Sequence, residues 1–231
     1  MGKVLVSDSN LAAIADAIRT KSGTTTKYKP GEMATAISNI TTGSGGTDTG
    51  AAILDGSITE YANDRITSIR DYGLSKCTSL ATVSLTALTK VGASAFSVCT
   101  SLTTAYLPAA KSVPYYCFSA CRKLTSVTLT SAEYVGECGF NNCTSLTTVS
   151  LPACESLSAL AFYGCSSLTA LILGHSTTVT LYNANALSGT PIESGTGYVY
   201  VPDSLVDTYK SASNWSTYAA QIKPISSAPT A

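Results

Sequence analysis

Charge is scarce in this chain. Fourteen Lys and Arg balance fourteen Asp and Glu among 231 residues, a charged fraction of 12% with zero formal net charge, about half of the ~25% usual in soluble domains. A nucleic-acid partner, which needs clustered Lys and Arg, is therefore excluded, and so is electrostatic attachment to a membrane surface. No run approaches the ~20 apolar residues of a membrane span, so insertion is excluded too. The start "MGKVLVSDSN" has no apolar stretch of secretory-signal length. That sets the expectation of a chain made in the cytoplasm and not exported by that route. "MGKVLV" also lacks the Ser or Thr at the sixth position of a myristoylation signal.

Histidine is nearly absent: His175 stands alone. A Ser-His-Asp or Cys-His site would have to use it, and no nucleophile motif, phosphate loop or dinucleotide glycine pattern accompanies it. The acidic residues are scattered. Glu133 and Glu155 recur 22 residues apart and would stack as like charges rather than form an acid/base pair. No catalytic residue, metal ligand set or cofactor-binding motif is expected, and the chain reads as non-enzymatic. The sequons at Asn142 and Asn214 read as coincidence.

What is present is repetition. Eight cysteines occur, and Cys77, Cys99, Cys121, Cys143 and Cys165 are spaced by 22 without a slip. Leu80, Leu102, Leu124, Leu146 and Leu168 keep the same period. So do Leu85, Leu107, Leu129, Leu151 and Leu173, and the set Val91, Val113, Val135, Leu157 and Val179. Phe96, Phe118, Phe140 and Phe162 form a further column, preceded by Leu74. Within "LTTVSLP" (146–152), Leu146, Val149 and Leu151 alternate with Thr148 and Ser150, a short strand ended by Pro152. A second extended run surrounds Val91, Val113 and Val135, followed by the aromatic, a turn and the cysteine. One such unit cannot bury its own apolar side, whereas stacked units can. The predicted fold is mainly β with short helices: a solenoid of 22-residue repeats with strands in parallel ladders.

In such a stack each cysteine lies over the one before. Cysteine packs as a small apolar group. A file of parallel side chains gives poor disulfide geometry and cannot converge on zinc. The column therefore reads as a ladder of structural thiols, with partial disulfide pairing as the alternative. Cys117 shares the slot of Ala95, Gly139 and Ala161, so it too reads as packing.

The spacing divides the chain into five parts. Residues 1–41 hold two amphipathic helical patterns, Leu11, Ile14, Ala15, Ile18 and Met33, Ala36, Ile37, Ile40, with too little core to stand alone. They are expected to dock on a partner or to self-associate, making the chain a homo-oligomer. Residues 42–50 are a Gly/Thr linker. Residues 51–65, with Asp55-Gly56 between apolar-alternating runs, predict a hairpin cap. The repeats cover 66–188. Residues 189–231 break the period and predict a strand–helix cap, with "YVYV" (198–201) as the strand, a helix carrying Leu205, Val206 and Tyr209, and Trp215 and Ile222 closing the core.

Repeats such as "LTTVSLPACESLSALAFYGCSSLT" (146–169) resemble the BspA-type leucine-rich repeats of bacterial surface proteins. The resemblance extends over about 52–225 and includes the ending "YVYVPDSLVDTYKSASNWSTYAAQI". The segment "VSDSNLAAIADAIRTKSGTTTKYKPGEMATAISNI" resembles a short module at the start of tail-associated proteins of phages and prophages. Together the two resemblances imply a receptor-binding tail component on a virion or tail particle. Residues 1–41 would contact other tail proteins, and the solenoid would meet a bacterial surface glycan or protein. The alternative they imply is a cell-surface adhesin of BspA type that binds host protein or glycan.

The surface that would do this is the outward side of the first strand. One column is Thr82, Thr104, Ser126, Thr148 and Ala170; the other is Ser84, Tyr106, Thr128, Ser150 and Ile172. These are ordinary exposed strand residues or a neutral, hydroxyl-rich recognition face with Tyr106 as its aromatic platform. Tyr115, Tyr116, Tyr134 and Tyr163 form a rival edge, since tyrosine is rigid and amphipathic.

Overall fold

The computed structural model describes residues 58–229. The expected docking helices of 1–41, the linker 42–50 and the Asp55-Gly56 turn lie outside the described residues. The described residues form a stack of chain turns, each contributing two short strands and one compact loop.

The first strands are β1 (Glu60–Ala62), β3 (Thr82–Ser84), β5 (Thr104–Tyr106), β7 (Ser126–Thr128), β9 (Thr148–Ser150) and β11 (Ala170–Ile172). The second strands are β2 (Ser68–Ile69), β4 (Lys90–Val91), β6 (Ser112–Val113), β8 (Tyr134–Val135), β10 (Ser156–Leu157) and β12 (Thr180–Leu181). All pairing is parallel and follows the repeat: Glu60 opposes Thr82, Thr82 opposes Thr104, and Ser112 opposes Tyr134. β1 is thus the first described rung of the main ladder. The ladder is interrupted between β7 and β9, and runs β1-β3-β5-β7 on one side and β9-β11 on the other.

The loops make a third ladder without being strands. Phe96 donates its backbone N–H to the Cys117 carbonyl at 2.9 Å, Phe118 to Gly139 at 2.8 Å and Phe140 to Ala161 at 2.8 Å. The residues two before and two after each Phe do the same, as in Ser94 to Tyr115 and Val98 to Ser119, both 2.8 Å. Residues between them close local turns, as Ser97 does to Ser94 at 3.1 Å. This alternation uses two left-handed positions per loop: Tyr72, Ser94, Tyr116, Cys138 and Leu160 form one set, and Lys76, Val98, Ala120 and Asn142 the other. Such conformations cost non-glycine residues free energy, and the inter-loop hydrogen bonds offset that cost.

The core is the set of inward columns. Phe96, Phe118, Phe140 and Phe162 are fully buried and stack with centroids 5.1, 5.3 and 5.2 Å apart and planes within 7°. The leucine columns are equally buried. Each aromatic or leucine side chain removed from water contributes about 1.5–3 kcal/mol.

One column ends differently from its count. Leu157 pairs with Leu181, so Leu181, not Val179, continues the Val91–Val113–Val135–Leu157 file. The loop "GHSTT" (174–178) carries two extra residues, and the strand shifts to keep an apolar side chain inward. Leu187, buried, then takes the place after Phe162, whose N–H donates to the Ala186 carbonyl at 2.8 Å.

The C-terminal segment closes the stack. β13 (Tyr198–Val201) pairs with β11, and β14 (Ile222–Pro224) pairs with β13. Between them a 3-10 turn (Asp203–Leu205) runs into helix α1 (Val206–Ser211), followed by a second 3-10 stretch (Trp215–Gln221). Tyr209, Trp215 and Ile222 are buried there. Their polar atoms cover the open edge near β12. The Val179 N–H donates to the Tyr209 hydroxyl at 2.9 Å, Trp215 Nε1 donates to the Val179 carbonyl at 2.7 Å, and Asn214 Nδ2 to the Leu181 carbonyl at 2.7 Å. Side chains thus replace the next rung's backbone, which leaves no template for another strand.

Candidate recognition surface

Strand alternation puts Val83, Ala105, Val149 and Leu171 in the core and their neighbours outside. Thr82, Ser84, Thr104, Thr128, Thr148 and Ile172 are half-buried, and Ser126 and Ser150 are exposed. Tyr106 stands out with 43% of its surface exposed. Ala170 differs from the sequence expectation: it is buried. Its one-carbon side chain sits on a rung between Thr148 and Tyr198, both longer, and offers no contact surface.

The face also extends further than the 22-residue count reaches. Tyr198, half-buried, opposes Ala170; Tyr200 opposes Ile172 but is itself buried, and Lys223 opposes Tyr200. The Tyr198 and Tyr200 rings lie 6.3 Å apart, and Lys223 Nζ is 5.4 Å from the Tyr198 centroid, a cation–π contact. Alternating Tyr-Val-Tyr-Val was the available signal. The break in period concealed the register.

The hydroxyls on this solenoid fall into two groups. Those just before the strands are used internally: Thr103 Oγ1 donates to the Ala81 carbonyl, Thr125 to Thr103 and Thr169 to Thr147, at 3.0–3.3 Å. Those of Thr104, Ser126, Thr128, Thr148 and Ser150, on the strands themselves, bond to no other side chain or backbone group among the described residues. They are open to a ligand.

The rival tyrosines are not assembled into one site. Tyr115 and Tyr116 meet edge to face at 4.3 Å on one loop. Tyr134 is on β8 and Tyr163 on the loop after β10, one rung further along. Each is a separate projection.

The cysteines have a definite job. All eight are free and buried. Cys99 Sγ donates to the Leu74 carbonyl, Cys121 to Phe96, Cys143 to Phe118 and Cys165 to Phe140, at 3.0–3.1 Å. Each thiol thus ties its own rung to the loop of the previous one. Burial pushes the Cys77 thiol up to about 11 and Cys154 to about 12, and raises Cys117 and Cys143 as well, so these sulfurs are protonated and unreactive.

Acid and base groups do not converge. Lys111 Nζ pairs with Glu133 at 3.1 Å, while Glu155 lies 3.9 Å from His175 Nε2. The two glutamates on adjacent rungs face different partners. His175 Nδ1 is 3.0 Å from Thr177 Oγ1. Among the described residues no cluster of His, Cys, Asp and Glu could hold a metal, and no helix is long and apolar enough to cross a membrane.

A parallel, in-register ladder of 22-residue rungs with a buried Phe file and a thiol file matches one family model, the BspA type leucine rich repeat region, in overlapping stretches 35–122, 55–169 and 89–212. The chain belongs to this family. Among solved structures, a leucine-rich repeat protein from Bacteroides ovatus aligns over 73% of this chain with a TM-score of 0.55 at 23% identity, which shows the shared fold. A leucine rich cell surface protein from Faecalibacterium prausnitzii aligns over 59% with a TM-score of 0.51 at 27% identity. The chain spans 42% and 36% of those two proteins. No curated protein matches it.

Proposed function

We propose that this BspA-type repeat protein is a non-enzymatic recognition module displayed at a bacterial cell surface, and that it binds a partner glycan or protein through the outward face of β3 to β11. The observation that carries this reading is the set of unengaged hydroxyls on an uncharged face, beside an exposed Tyr106. The solenoid supplies a rigid platform, so little ordering entropy is lost on binding. Similarity to a leucine rich cell surface protein from F. prausnitzii supports the location. The deciding experiment is fluorescent labelling of intact bacterial and epithelial cells with the purified chain. Saturable binding that Ser126→Lys plus Ser150→Lys abolishes supports the reading. Binding unchanged by that pair moves the site off this face.

The tail-particle reading rests on the resemblance of residues 1–41 to modules of tail-associated proteins. Gold-labelled antibody applied to induced lysate separates the two locations: label on tail tips favours the particle, and label on intact cells with bare particles favours the surface protein.

A further inference from the structure

The outward face is not uniform along the solenoid axis. Tyr106 on β5 and the half-buried Tyr198 on β13, with Lys223 of β14 over its ring, are bulky. The three rungs between them carry Ser126 and Thr128, Thr148 and Ser150, then Ala170 and Ile172. The two Ser/Thr rungs, followed by buried Ala170 and half-buried Ile172, lie lower than the aromatic rungs that bracket them and make a shallow trough running across the strands. Four rung intervals at ~4.8 Å give it a length of roughly 19 Å.

The chemistry of the trough selects its occupant. This outward face presents side chains rather than the backbone groups of a sheet edge, so strand addition is not the binding mode on it. The floor holds no ionisable side chain. The cation at its end, Lys223, is placed over the Tyr198 ring, so a carboxylated or sulfated chain finds no counter-charge along the floor. The four hydroxyls of Ser126, Thr128, Thr148 and Ser150 each donate and accept, as sugar hydroxyls do. The electron-rich face of a half-exposed tyrosine suits the weakly positive C–H face of a pyranose. The rung spacing is also close to the length of one sugar unit in an extended chain, so successive sugars meet equivalent rungs.

We propose that the strip from Tyr106 to Tyr198 is a binding trough for an extended, uncharged glycan. The Tyr106 ring stacks on a sugar at one end, and the half-buried Tyr198 with Lys223 over its ring limits the chain at the other. This rests on the recognition reading above and names its ligand class.

Affinity gel electrophoresis of the full chain tests it, with a soluble β-1,3-glucan, a β-1,4-xyloglucan and an α-mannan as neutral probes and polygalacturonate as the acidic one. Retardation by at least one neutral polymer and not by polygalacturonate is expected. Tyr106→Ala should weaken it about tenfold, the loss of one aromatic contact. Ser150→Lys should abolish it, while Tyr134→Ala, outside the trough, should leave it unchanged. Circular dichroism and melting temperature confirm that each variant is folded. Retardation by polygalacturonate alone, or equal retardation of wild type and Ser150→Lys, overturns the proposal. Mobility unaffected by every polymer, together with cell binding that Ser126→Lys plus Ser150→Lys removes, overturns the glycan and leaves the recognition face standing. Loss of both cell binding and retardation from the wild type overturns the recognition reading itself.

Discussion

Cys121 Sγ donates a hydrogen bond to the carbonyl oxygen of Phe96 at 3.1 Å, across 25 residues and one rung of the solenoid. The same bond recurs at Cys99, Cys143 and Cys165. The cysteine column is therefore both filler and tie. Its thiol fits where a methyl would leave a void, and it gives the loop carbonyl a second donor beside the Cys99 N–H at 3.3 Å.

Cys121→Ala should destabilise the solenoid by about 1–2 kcal/mol, combining a lost methylene-sized volume with a weakened carbonyl. Chemical denaturation of the variant and wild type measures this. Equal stability would show that neither the thiol's volume nor its contact with the carbonyl stabilises the rung.

Thiol burial also predicts the behaviour at alkaline pH. The folded-state value of Cys77 is raised from 9.0 to about 11 and that of Cys154 to about 12, each chiefly by burial. A raised thiol value means the unfolded chain ionises first. The stabilisation is complete below about pH 9 and is lost as pH climbs through 11 to 12. The melting temperature should be flat from pH 7 to 8.5 and fall steeply above 9. In the same range an aromatic disulfide reagent at pH 8 should titrate no thiol in the folded protein and all eight in denaturant.

Val98 is a β-branched residue at φ 60°, where the next rungs carry Ala120, Asn142 and Gly164. Val98→Asn should stabilise the protein by about 1 kcal/mol, because asparagine tolerates the left-handed region. The reverse change, Gly164→Val, should destabilise: a Cβ there meets Asn142 Oδ1 at 2.5 Å. Thermal melts of the two variants should move in opposite directions.

Trp215→Phe keeps an aromatic ring in the cap but removes the donor to the Val179 carbonyl. A buried carbonyl without its partner costs about 1–3 kcal/mol. Combining it with Tyr209→Phe strips the Val179 N–H of its acceptor as well. The double variant should lose more stability than the sum of its parts and should self-associate, seen by light scattering, because the capped edge is opened.

Much of the fold is legible in the chain because a solenoid converts sequence period directly into spatial neighbours. Leu102 and Leu124 share a column for no reason but their spacing, and Thr104 opposes Ser126 in the sheet for the same one. The cap elements were also readable from local signals: an alternating "YVYV", a Pro-Asp-Ser helix start, one Trp. The site was less so. Thr103 and Thr104 are adjacent and chemically identical, yet one hydroxyl is consumed by the Ala81 carbonyl and the other faces outward. Only the direction of each side chain relative to the ladder separates them.

The 22-residue spacing by itself determined the parallel solenoid, the identity of the buried columns and the outward position of Tyr106, since each follows from counting along a chain that must stack to bury its apolar side. Tertiary structure decided what lies beyond the count. Leu181 displaces Val179, Ala170 is buried, Tyr198 joins the outward face, and the thiols of Cys99, Cys121, Cys143 and Cys165 each select a carbonyl 25 residues back. After an insertion, register is set by which side chain fills the core and which backbone groups find partners. Those are properties of neighbouring rungs, and spacing alone does not carry them.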